Sequence, residues 1–415
     1  MRVKGVRWFV SFLLVSALCL GVGVPVVAFS QADPQIRSIV FTEGEAVNEA
    51  ARQGVTEHGG IVLKELAPRN GLVVLIPEQA REHIVKISGV IAVEPDLVLS
   101  AVKGLPPGKG PKPEEPQPSQ DLPWGVDRID ANLVWGSYNG SGVNIAIIDT
   151  GIDKDHQDLE ANLADGINFV GKGPPWERRV DPTEWDDDNG HGTHVAGTAA
   201  AVDNDIGVIG VALGAKLWAV KVLDKTGSGY LSDIIDGIYW AADSGMEVIS
   251  LSLGIDKETL DQYPNDRQAL QDAVDYAYLT KGVVVVAAAG NEGVGEDTVI
   301  YPARFDSVIA VAATDSNDNR ASFSSTGPTI EVVAPGVDIY STWNDGYYNT
   351  ISGTSMASPH VAGTAALVIS SGVTNASQVR NVLQLTADDL GDTGEDSLYG
   401  YGLVDAEEAA NWHTS

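Results

Sequence analysis

Residues 353–363 read Gly-Thr-Ser-Met-Ala-Ser-Pro-His-Val-Ala-Gly, and an apolar run continues to residue 369. Pro359 is placed for the first turn of a helix, and the apolar run predicts that this helix is buried. Ser355 then lies where a loop enters the helix, and the unpaired backbone N–H groups there can face an anion that forms beside its hydroxyl. Taken alone, the stretch fits an ordinary buried helix start as well as a nucleophile.

Short runs rich in β-branched residues, without polar alternation, recur along the chain beyond residue 122, with helical stretches between several of them. Such runs are typical of parallel strands that are covered on both faces. We expect strands at 143–148, 216–222, 248–253, 283–289, 307–313 and 330–334, and helices at 194–201, 232–244 and 266–281. The pattern predicts an α/β fold with a doubly wound, mostly parallel sheet and helices on both faces. Functional residues in such sheets gather at the carboxyl ends of the strands.

Three more polar residues stand at strand ends or helix starts of this predicted sheet. Asp149 ends the first strand, Asn291 follows the fourth, and His191 precedes a helix rich in small residues. Each also has an ordinary interpretation, as a turn or helix cap or as a packed core residue. Glycine on both sides of His191 would let its ring approach another group closely. Metal binding by His191 and His194 is the weaker alternative, because there is no HExxH pattern.

The first residues have the order of a secretory signal peptide. A basic start at 1–7 is followed by a nearly continuous apolar run at 8–27 and by small residues at Ala28 and Ala32. The run is long enough for a membrane anchor, but it lacks a polar stop-transfer flank. We therefore expect residues 1–32 to be removed and the protein to be secreted, extracellular and free of the membrane after cleavage.

The bulk composition limits the possible partners and stabilising elements. The only cysteine, Cys19, lies in the predicted signal peptide. The mature chain would therefore have no disulfide, no thiolate zinc site and no cysteine nucleophile. A net charge of -31 argues against binding to nucleic acid or anionic membranes. A secreted protein without disulfides needs another stabilising element, and a bound metal ion is the obvious candidate.

Two further segments precede the α/β region. Residues 33–102 predict a small α+β domain. Its expected strands are 36–41, 61–66, 71–76 and 90–98, and its expected helices are 45–58 and 77–88. Residues 103–118 are dense in proline, which cannot donate backbone hydrogen bonds, so we expect an extended, protease-accessible linker. The large domain is expected at 119–415.

Sequence motifs around the four polar residues carry a family resemblance. Ile-Asp-Thr-Gly contains Asp149, His-Gly-Thr-His-Val-Ala-Gly-Thr begins at His191, Ala-Ala-Gly-Asn ends at Asn291, and the opening stretch contains Ser355. With these motifs in this order, the chain from about residue 120 to 409 resembles the subtilisin-type serine proteases. The resemblance implies that Ser355 attacks the scissile carbonyl and that His191 transfers the proton. It also implies that Asp149 orients His191.

The oxyanion of the reaction has its own implied donors. By the same resemblance, Asn291 would bind it together with the N–H of Ser355 and the hydroxyl of Thr354. An esterase is the weaker alternative, because the residues around Ser355 do not form GxSxG and the order of the triad differs from that of the α/β-hydrolases.

The resemblance further implies a cleft that binds an extended peptide as an added strand. P1 denotes the residue whose carbonyl is attacked, and P4 the residue three positions before it. The backbone edges are expected at Ser228, Gly229, Ser252, Leu253 and Gly254, an apolar P4 pocket at Leu231, Ile234 and Leu253, and the P1 pocket at Ala288, Ala289, Gly290 and Ile300. Since Ile300 stands where many relatives have glycine, a deep pocket for large aromatic P1 residues is not expected.

Calcium is implied in the same way. The residues that match the strong calcium site of bacterial subtilisins are the side chains of Gln120, Asp158 and Asn204 and the carbonyls of Val202, Ile206 and Val208. They supply hard oxygen ligands with one charged side chain, and a solvated turn at 203–205 is the alternative. Asp181, Asp186, Asp187 and Asp188 fit a second metal site and a solvated loop equally well, and Glu331 resembles a weaker cation site.

Residues 33–102 resemble the inhibitor-type propeptide of the same family. The resemblance implies that this domain assists folding, inhibits the enzyme and fills the cleft with residues 99–102, with first cleavage near Val102. The whole chain is then expected to be a calcium-stabilised serine endopeptidase that acts on proteins and peptides, is made as an autoprocessed zymogen and works as a monomer. A catalytically silent peptide-binding relative and a protease inhibitor built on residues 33–102 are the alternatives.

Overall fold

The computed structural model describes residues 34–43, 49–66, 70–102, 118–173 and 178–412. The predicted signal peptide lies outside these ranges, as does the predicted linker except for Pro118. The described chain forms a small α+β body, a large α/β body and one strand that runs from the first into the second.

The small body is an antiparallel sheet with helices on one face. Its strands are β1 (Gln35–Thr42), β2 (Ile61–Glu65), β3 (Gly71–Pro77) and β4 (Val90–Pro95), in the order β2-β3-β1-β4, and its helices are α1 (Glu49–Glu57) and α2 (Arg81–Ile84). Strand β3 is buried along its whole length. Leu72 and Val74 pack with the helices, whereas Val73 joins a cluster of the large body. Because successive side chains of a strand point to opposite faces, one face of β3 packs against the helices of the small body and the other packs against the large body.

Two predicted elements of the small body differ in extent. The strand expected at 90–98 ends at Pro95, and after Asp96 and Leu97 a separate strand β5 (Val98–Ala101) pairs with the large body. The pattern of residues 90–98 predicts an extended chain along its whole length. It does not show that β4 pairs with β1 whereas β5 pairs with β9 and β11. The helix expected at 77–88 is shortened to a 3₁₀ turn and α2, because the chain turns toward Gly89, which has φ +87°.

The large body is built on a seven-stranded parallel sheet. Its strands, across the sheet, are β14 (Val332–Pro335), β13 (Ile309–Thr314), β12 (Val284–Ala288), β10 (Val248–Leu251), β6 (Asn144–Asp149), β8 (Lys216–Lys221) and β7 (Leu163–Asn168). Short strands β9 (Ser228–Tyr230) and β11 (Leu253–Gly254) flank β5, and β15 (Ile339–Trp343) pairs with β16 (Tyr347–Ile351). The predicted doubly wound α/β class is confirmed.

Helices cover both faces of this sheet. They are α3 (Trp124–Arg128), α4 (His191–Ala200), α5 (Leu231–Asp243), α6 (Lys257–Leu260), α7 (Pro264–Asp275), α8 (Thr354–Ser370), α9 (Ala376–Leu385) and α10 (Ala406–Ala410). Ile145 and Ile147 of β6 pack in one cluster with α4 and α8, while Ala146 and Ile148 pack in another with α5 and α7. Among the described residues, no helix combines the length and apolar character needed to span a membrane.

Carboxylates of the small body lie at two helix starts of the large body. Glu94 accepts a hydrogen bond from the N–H of Asp266 in the first turn of α7 at 2.9 Å, and Asp96 accepts one from the N–H of Ser232 in α5 at 3.0 Å. Helix starts carry unpaired N–H groups and partial positive charge, so both contacts stabilise the association of the two bodies.

Candidate active site

A buried carboxylate and a histidine meet where the strands of the large sheet end. Asp149 is the last residue of β6, and His191 is the first residue of α4. The Nδ1 atom of His191 lies 2.8 Å from Oδ1 and 3.0 Å from Oδ2 of Asp149. An ionised carboxylate only accepts hydrogen bonds, so Nδ1 carries the proton and Nε2 is the basic nitrogen of the ring.

Local hydrogen bonds fix the start of helix α4. Oδ1 of Asp187 accepts from the N–H groups of Asn189 and Gly190 at 2.9 and 3.0 Å, and Oδ2 accepts from the N–H and hydroxyl of Thr193 at 3.0 and 2.6 Å. A Cβ atom at Gly192 would lie 2.2 Å from a backbone carbonyl oxygen of the turn after β6. Glycine therefore lets the helix approach the strand end closely, as the glycines around the histidine suggested.

The acidic residues before this helix have separate partners. Asp181 accepts from Thr183, Asp186 from the N–H of Lys154, and Asp188 pairs with Lys221 at 2.7 Å. Within the described part of the chain, no three His, Cys, Asp or Glu side chains gather as a metal site. Each of these carboxylates thus has a hydrogen-bond or ion-pair partner within the protein.

Ser355 is the second residue of α8 and is fully buried. Its Oγ donates to the carbonyl oxygen of Val102 at 2.9 Å and to that of Ser252 at 3.1 Å. The expectation that Pro359 lies in the first turn is wrong, because α8 begins at Thr354 and the proline is inside the helix. Proline has no N–H to offer the carbonyl of Ser355, but the hydroxyl of Ser252 donates to that carbonyl at 3.0 Å.

Asn291 follows β12 and directs its amide at the carbonyl group of Val102. Its Oδ1 accepts from the N–H and the hydroxyl of Thr354, both at 3.0 Å, and its Nδ2 donates to the carbonyl oxygen of Val102 at 3.3 Å. The Thr354 hydroxyl thus holds the amide instead of pointing at the carbonyl. Sequence reasoning missed this contact and the one from Ser252, since both depend on side chains far apart in sequence.

Strand β5 brings that carbonyl into the cleft. It lies antiparallel between β9 and β11, so that its backbone is paired on both edges. The N–H of Ala101 donates to the carbonyl of Gly227 at 2.8 Å, and the N–H of Val102 to that of Ser252 at 3.1 Å. The expected edge residues lie here: Ser228 and Gly229 in β9, Leu253 and Gly254 in β11, and Ser252 directly before β11.

The side chains of the β5 segment enter two apolar pockets. Leu99, three residues before Val102, is fully buried in a cluster that includes Leu231, Ile234 and Leu253. Val102 forms a small cluster with Ala288 and Ile300. Ala289 belongs to the cluster that contains Leu99. A Cβ atom at Gly290 would lie 2.9 Å from the side chain of Ile300. Ile300 therefore fills the space beneath Val102.

Asp158 is the centre of the residues matched to a calcium site. Its Oδ2 accepts from the N–H of Val208 at 2.8 Å and from the hydroxyl of Tyr348 at 2.9 Å. Its Oδ1 is buried and has no hydrogen-bond partner. Burial raises the pKa of this carboxyl against the opposing effect of its hydrogen bonds. A buried, unpartnered carboxylate oxygen is costly unless a cation or a proton satisfies it.

The remaining matched residues lie around the same loop. Nε2 of Gln120 reaches the carbonyl oxygens of Val202 at 2.9 Å and Val208 at 3.4 Å. Oδ1 of Asn204 accepts from the N–H of Ile206 at 3.2 Å. The weaker cation site matched at Glu331 differs, since its carboxylate pairs with the guanidinium of Arg380.

Comparisons with known proteins agree with this geometry. Residues 140–402 match the subtilase family model. Subtilisin DY of Bacillus licheniformis is 50% identical over 296 residues, which cover 70% of this chain and 100% of that protein. Subtilisin E of Bacillus subtilis (strain 168) is 42% identical over 370 residues, 88% of this chain and 87% of that protein. Subtilisin Savinase of Lederbergia lenta is 47% identical over 293 residues, 70% of this chain and 99% of that protein.

These matches cover most of the chain and nearly all of each relative. The family model includes all seven strands of the large sheet and helices α4 to α9. The chain therefore belongs to the subtilase family, and it is a subtilisin-like serine endopeptidase.

Proposed function

We propose that this endopeptidase is made as a secreted precursor, cuts its own chain after Val102 and binds a stabilising calcium ion. Its catalytic residues in this proposal are Asp149, His191, Asn291 and Ser355. The observation that carries the proposal is the Val102 carbonyl oxygen, which lies 2.9 Å from Oγ of Ser355 and 3.3 Å from Nδ2 of Asn291. The carbonyl follows a strand that is paired on both edges, as a bound substrate would be.

In this proposal each of the four side chains has one role. Oγ of Ser355 attacks the carbonyl carbon of Val102 while Nε2 of His191 takes the hydroxyl proton. The carboxylate of Asp149 holds the ring in the required tautomer and stabilises the imidazolium. Nδ2 of Asn291 donates to the oxyanion, and His191 returns the proton to the departing amine. Water then hydrolyses the acyl-enzyme by the same route.

The domain organisation completes the proposal. Residues 1–32 act as the signal peptide, 33–102 as the propeptide, 103–118 as the linker and 119–415 as the catalytic domain. The packing of β3 and the two carboxylates at helix starts support a propeptide that assists folding of the catalytic domain. Occupation of the cleft by β5 supports inhibition until the propeptide departs. The mature enzyme then cleaves proteins and peptides outside the cell as a monomer.

The residues around Asp158 fit a calcium ion. Its unpartnered Oδ1 would be a ligand, with the carbonyls of Val202, Ile206 and Val208 and the amide oxygen of Asn204 as others. The amide of Gln120 would have to turn over for its oxygen to join them, because its Nε2 faces the carbonyls of Val202 and Val208. The ion would supply positive charge that satisfies the buried carboxylate. One charged side chain among neutral oxygens suits Ca²⁺ better than Mg²⁺, which demands stricter geometry and keeps its waters.

Replacing Ser355 with alanine should stop maturation, because the nucleophile is lost. After refolding with calcium, mass spectrometry should find an intact chain instead of a fragment that ends at Val102, and casein should stay undigested. In subtilisin, from which the magnitude is taken, such a loss lowers kcat by about a millionfold. Ser358→Ala, at another buried serine of α8, is the matched control and should mature normally. Normal self-cleavage and casein hydrolysis by Ser355→Ala would contradict the proposal.

Ile300 should limit the size of the P1 side chain. In the mature enzyme, Ile300→Gly should raise kcat/KM for peptides with P1 phenylalanine by about tenfold or more relative to P1 valine, since a hydrophobic pocket gains about 1–3 kcal/mol per methylene accommodated. Val294→Gly, in the same loop and 69% exposed, should leave the ratio unchanged. The role of Ile300 is refuted if both variants keep the wild-type preference.

Removal of calcium should destabilise the mature enzyme. At a calcium concentration a hundredfold above Kd, the ion contributes about 2.7 kcal/mol, so EDTA should lower the thermal unfolding temperature. Asp158→Asn should lower it in the presence of calcium and make it insensitive to EDTA. The exposed Asp203 provides the control variant Asp203→Asn, which should respond to EDTA as the wild type does. Equal unfolding temperatures with and without EDTA would rule out the stabilising ion.

Asp266 adds a pH-dependent element to the contact between propeptide and catalytic domain. Its carboxyl is fully buried, and neither oxygen has a hydrogen-bond partner. Burial, followed by the charges of Glu94 and Asp96, raises the pKa of Asp266 to about 9. Below the unfolded-state pKa near 3.8 both states are protonated, so no stability is lost there. As the pH rises from there toward 9, the folded precursor must keep a proton that the unfolded chain releases, and stability falls.

Asp266→Asn should therefore flatten the dependence of precursor stability on pH. The comparison is made in a Ser355→Ala background, which prevents self-cleavage. The free energy of unfolding of Asp266→Asn, minus that of its parent, should increase as the pH rises from 5 to 8. A folded-state proton that the unfolded chain lacks costs about 1.4 kcal/mol per pH unit. Glu258→Gln removes one carboxylate at an exposed position and should not produce this gain. Parallel curves for Asp266→Asn and its parent would show that Asp266 is ordinarily ionised.

A further inference from the structure

A guanidinium group of the propeptide lies in a pocket of the catalytic domain beside the start of α5. The Arg37 guanidinium carbon lies 3.9 Å from the centroid of the Tyr230 ring. Its Nη2 donates to the hydroxyl of Ser232 at 3.0 Å and lies 3.4 Å from Oδ1 of Asp233. The side chains of Arg37 and Asp233 are 7% and 3% exposed. Its Nε also pairs with Oδ2 of Asp96, a buried carboxylate of the propeptide itself, at 2.5 Å. An aromatic face and two buried carboxylates, one from each domain, thus hold the planar cation.

Three cations share the Asp233 carboxylate in the precursor. Besides Arg37, Lys64 lies 2.8 Å from its Oδ1, and Arg178 lies 2.7 Å from its Oδ2. Although burial opposes ionisation, the charges of Lys64, Arg37 and Arg178 lower the pKa of Asp233 below its usual value. The carboxylate is therefore ionised while the propeptide is bound.

Departure of the propeptide leaves this site with excess negative charge. Arg37 and Lys64 leave with it, together with the Asp96 carboxylate that pairs with Arg37. Of the cations that the structure describes against Asp233, Arg178 stays behind, opposite the two carboxylates of Asp233 and Asp236. A carboxylate that loses cation partners keeps uncompensated charge, and a new cation at the same place restores the interaction. Arg178 holds Oδ2 of Asp233, and its guanidinium carbon lies 5.2 Å from the centroid of the Tyr230 ring. The vacated position lies on the Oδ1 side, where the Arg37 guanidinium carbon was closer to the same centroid, at 3.9 Å.

The path of the bound strand leads past this position. Val98, the fifth residue back from the scissile carbonyl and hence P5, pairs with Tyr230 in the register of β5 and β9. Its side chain lines the same cavity as Arg37, Arg178 and Tyr230 and is 52% exposed. A short aliphatic P5 side chain leaves this cavity partly open, whereas a long one could extend toward the place of the Arg37 guanidinium.

We propose that the mature enzyme has a P5 subsite for a basic side chain, arginine in particular, which binds between the Tyr230 ring and the Asp233 carboxylate. The inference rests on the proposed cleavage after Val102, because that fixes Val98 as P5, and on the departure of the propeptide. Arginine is favoured over lysine because its planar group stacks on the ring and donates to the Ser232 hydroxyl at the same time. The subsite adds a polar preference to a cleft that otherwise selects apolar side chains.

The experiment compares peptides with P4 leucine and P1 valine that differ only at P5, which is arginine, lysine, glutamine or glutamate. With wild-type mature enzyme, kcat/KM for P5 arginine should exceed that for glutamine by about five- to twentyfold, as expected for a partly desolvated cation–π contact with an ion pair. The difference should appear mainly in KM, since the contact is remote from the reacting atoms. It should shrink at high salt.

Variants then identify the groups responsible. Asp233→Asn and Tyr230→Leu should each bring the arginine-to-glutamine ratio close to one while the glutamine peptide is still cut. Asp243→Asn removes a carboxylate at the other end of the same helix, where it pairs with Lys281, and should keep the wild-type ratio. Tyr230→Leu leaves the contacts of Asp233 with the propeptide in place, so it decides the matter if Asp233→Asn fails to mature.

The outcomes separate this inference from the proposed function. Equal kcat/KM for all P5 residues in the wild type, with cleavage after valine, would overturn the subsite and leave the endopeptidase intact. An arginine preference that survives in Tyr230→Leu would also overturn it. Absence of cleavage after valine in every peptide would instead contradict the proposed processing after Val102.

Discussion

The shared direction of β6, β10 and β12 is the constraint on which the whole candidate active site depends. Because these neighbouring strands are parallel, their carboxyl ends lie on one edge of the sheet. Asp149 ends the first, Ser252 follows the second and Asn291 follows the third. Helices α4 and α8 begin at this edge with His191 and Ser355. Groups that are remote in sequence thus converge, and glycines with positive φ at 151, 190 and 290 make the turns beside three of them possible.

Helix α8 can begin in the interior because the side chains of its first two residues, Thr354 and Ser355, find hydrogen-bond partners there. The proline inside it deprives the carbonyl of Ser355 of the usual donor, and the Ser252 hydroxyl replaces that donor at 3.0 Å. Ser252 thereby has two roles, since its hydroxyl donates to Ser355 and its backbone carbonyl accepts from the N–H of Val102. A buried polar group left without a partner would cost about 1–3 kcal/mol. The position of Ser355 and the binding of the β5 segment are therefore linked through one residue, Ser252.

The sequence predicts the sheet well and the connections between its parts less well. Strands such as Val284–Ala288 are continuous apolar runs rich in β-branched residues, which are typical of a strand covered on both faces. Leu163–Asn168, with Asp165 and Gly166 in its middle, has no such signature and becomes a strand because it pairs beside β8. The division of 90–98 into two strands is equally invisible, because an extended pattern does not show which partner it pairs with.

In the candidate site, too, the sequence predicts some features and packing determines the others. The motifs that contain Asp149, His191, Asn291 and Ser355 identify the family, while the contacts that hold them depend on packing. Nothing local indicates that Thr354 fixes the Asn291 amide, that Arg380 pairs with Glu331, or that Asp187 alone among four acidic neighbours caps α4. These partners are separated by tens of residues or depend on which way a loop turns. Sequence motifs thus give the chemistry, and tertiary packing gives the orientation.

The position of β5 between β9 and β11 has a consequence for what can be digested. A chain bound in this way uses the hydrogen-bonding groups on both of its edges at once. A strand inside a folded sheet has already committed both edges, and an edge strand has committed one. Only a segment that is free to become fully extended, such as a long loop or an unfolded region, can therefore enter the cleft. The enzyme would distinguish proteins first by their state of folding, and compact proteins would resist it whatever their sequence.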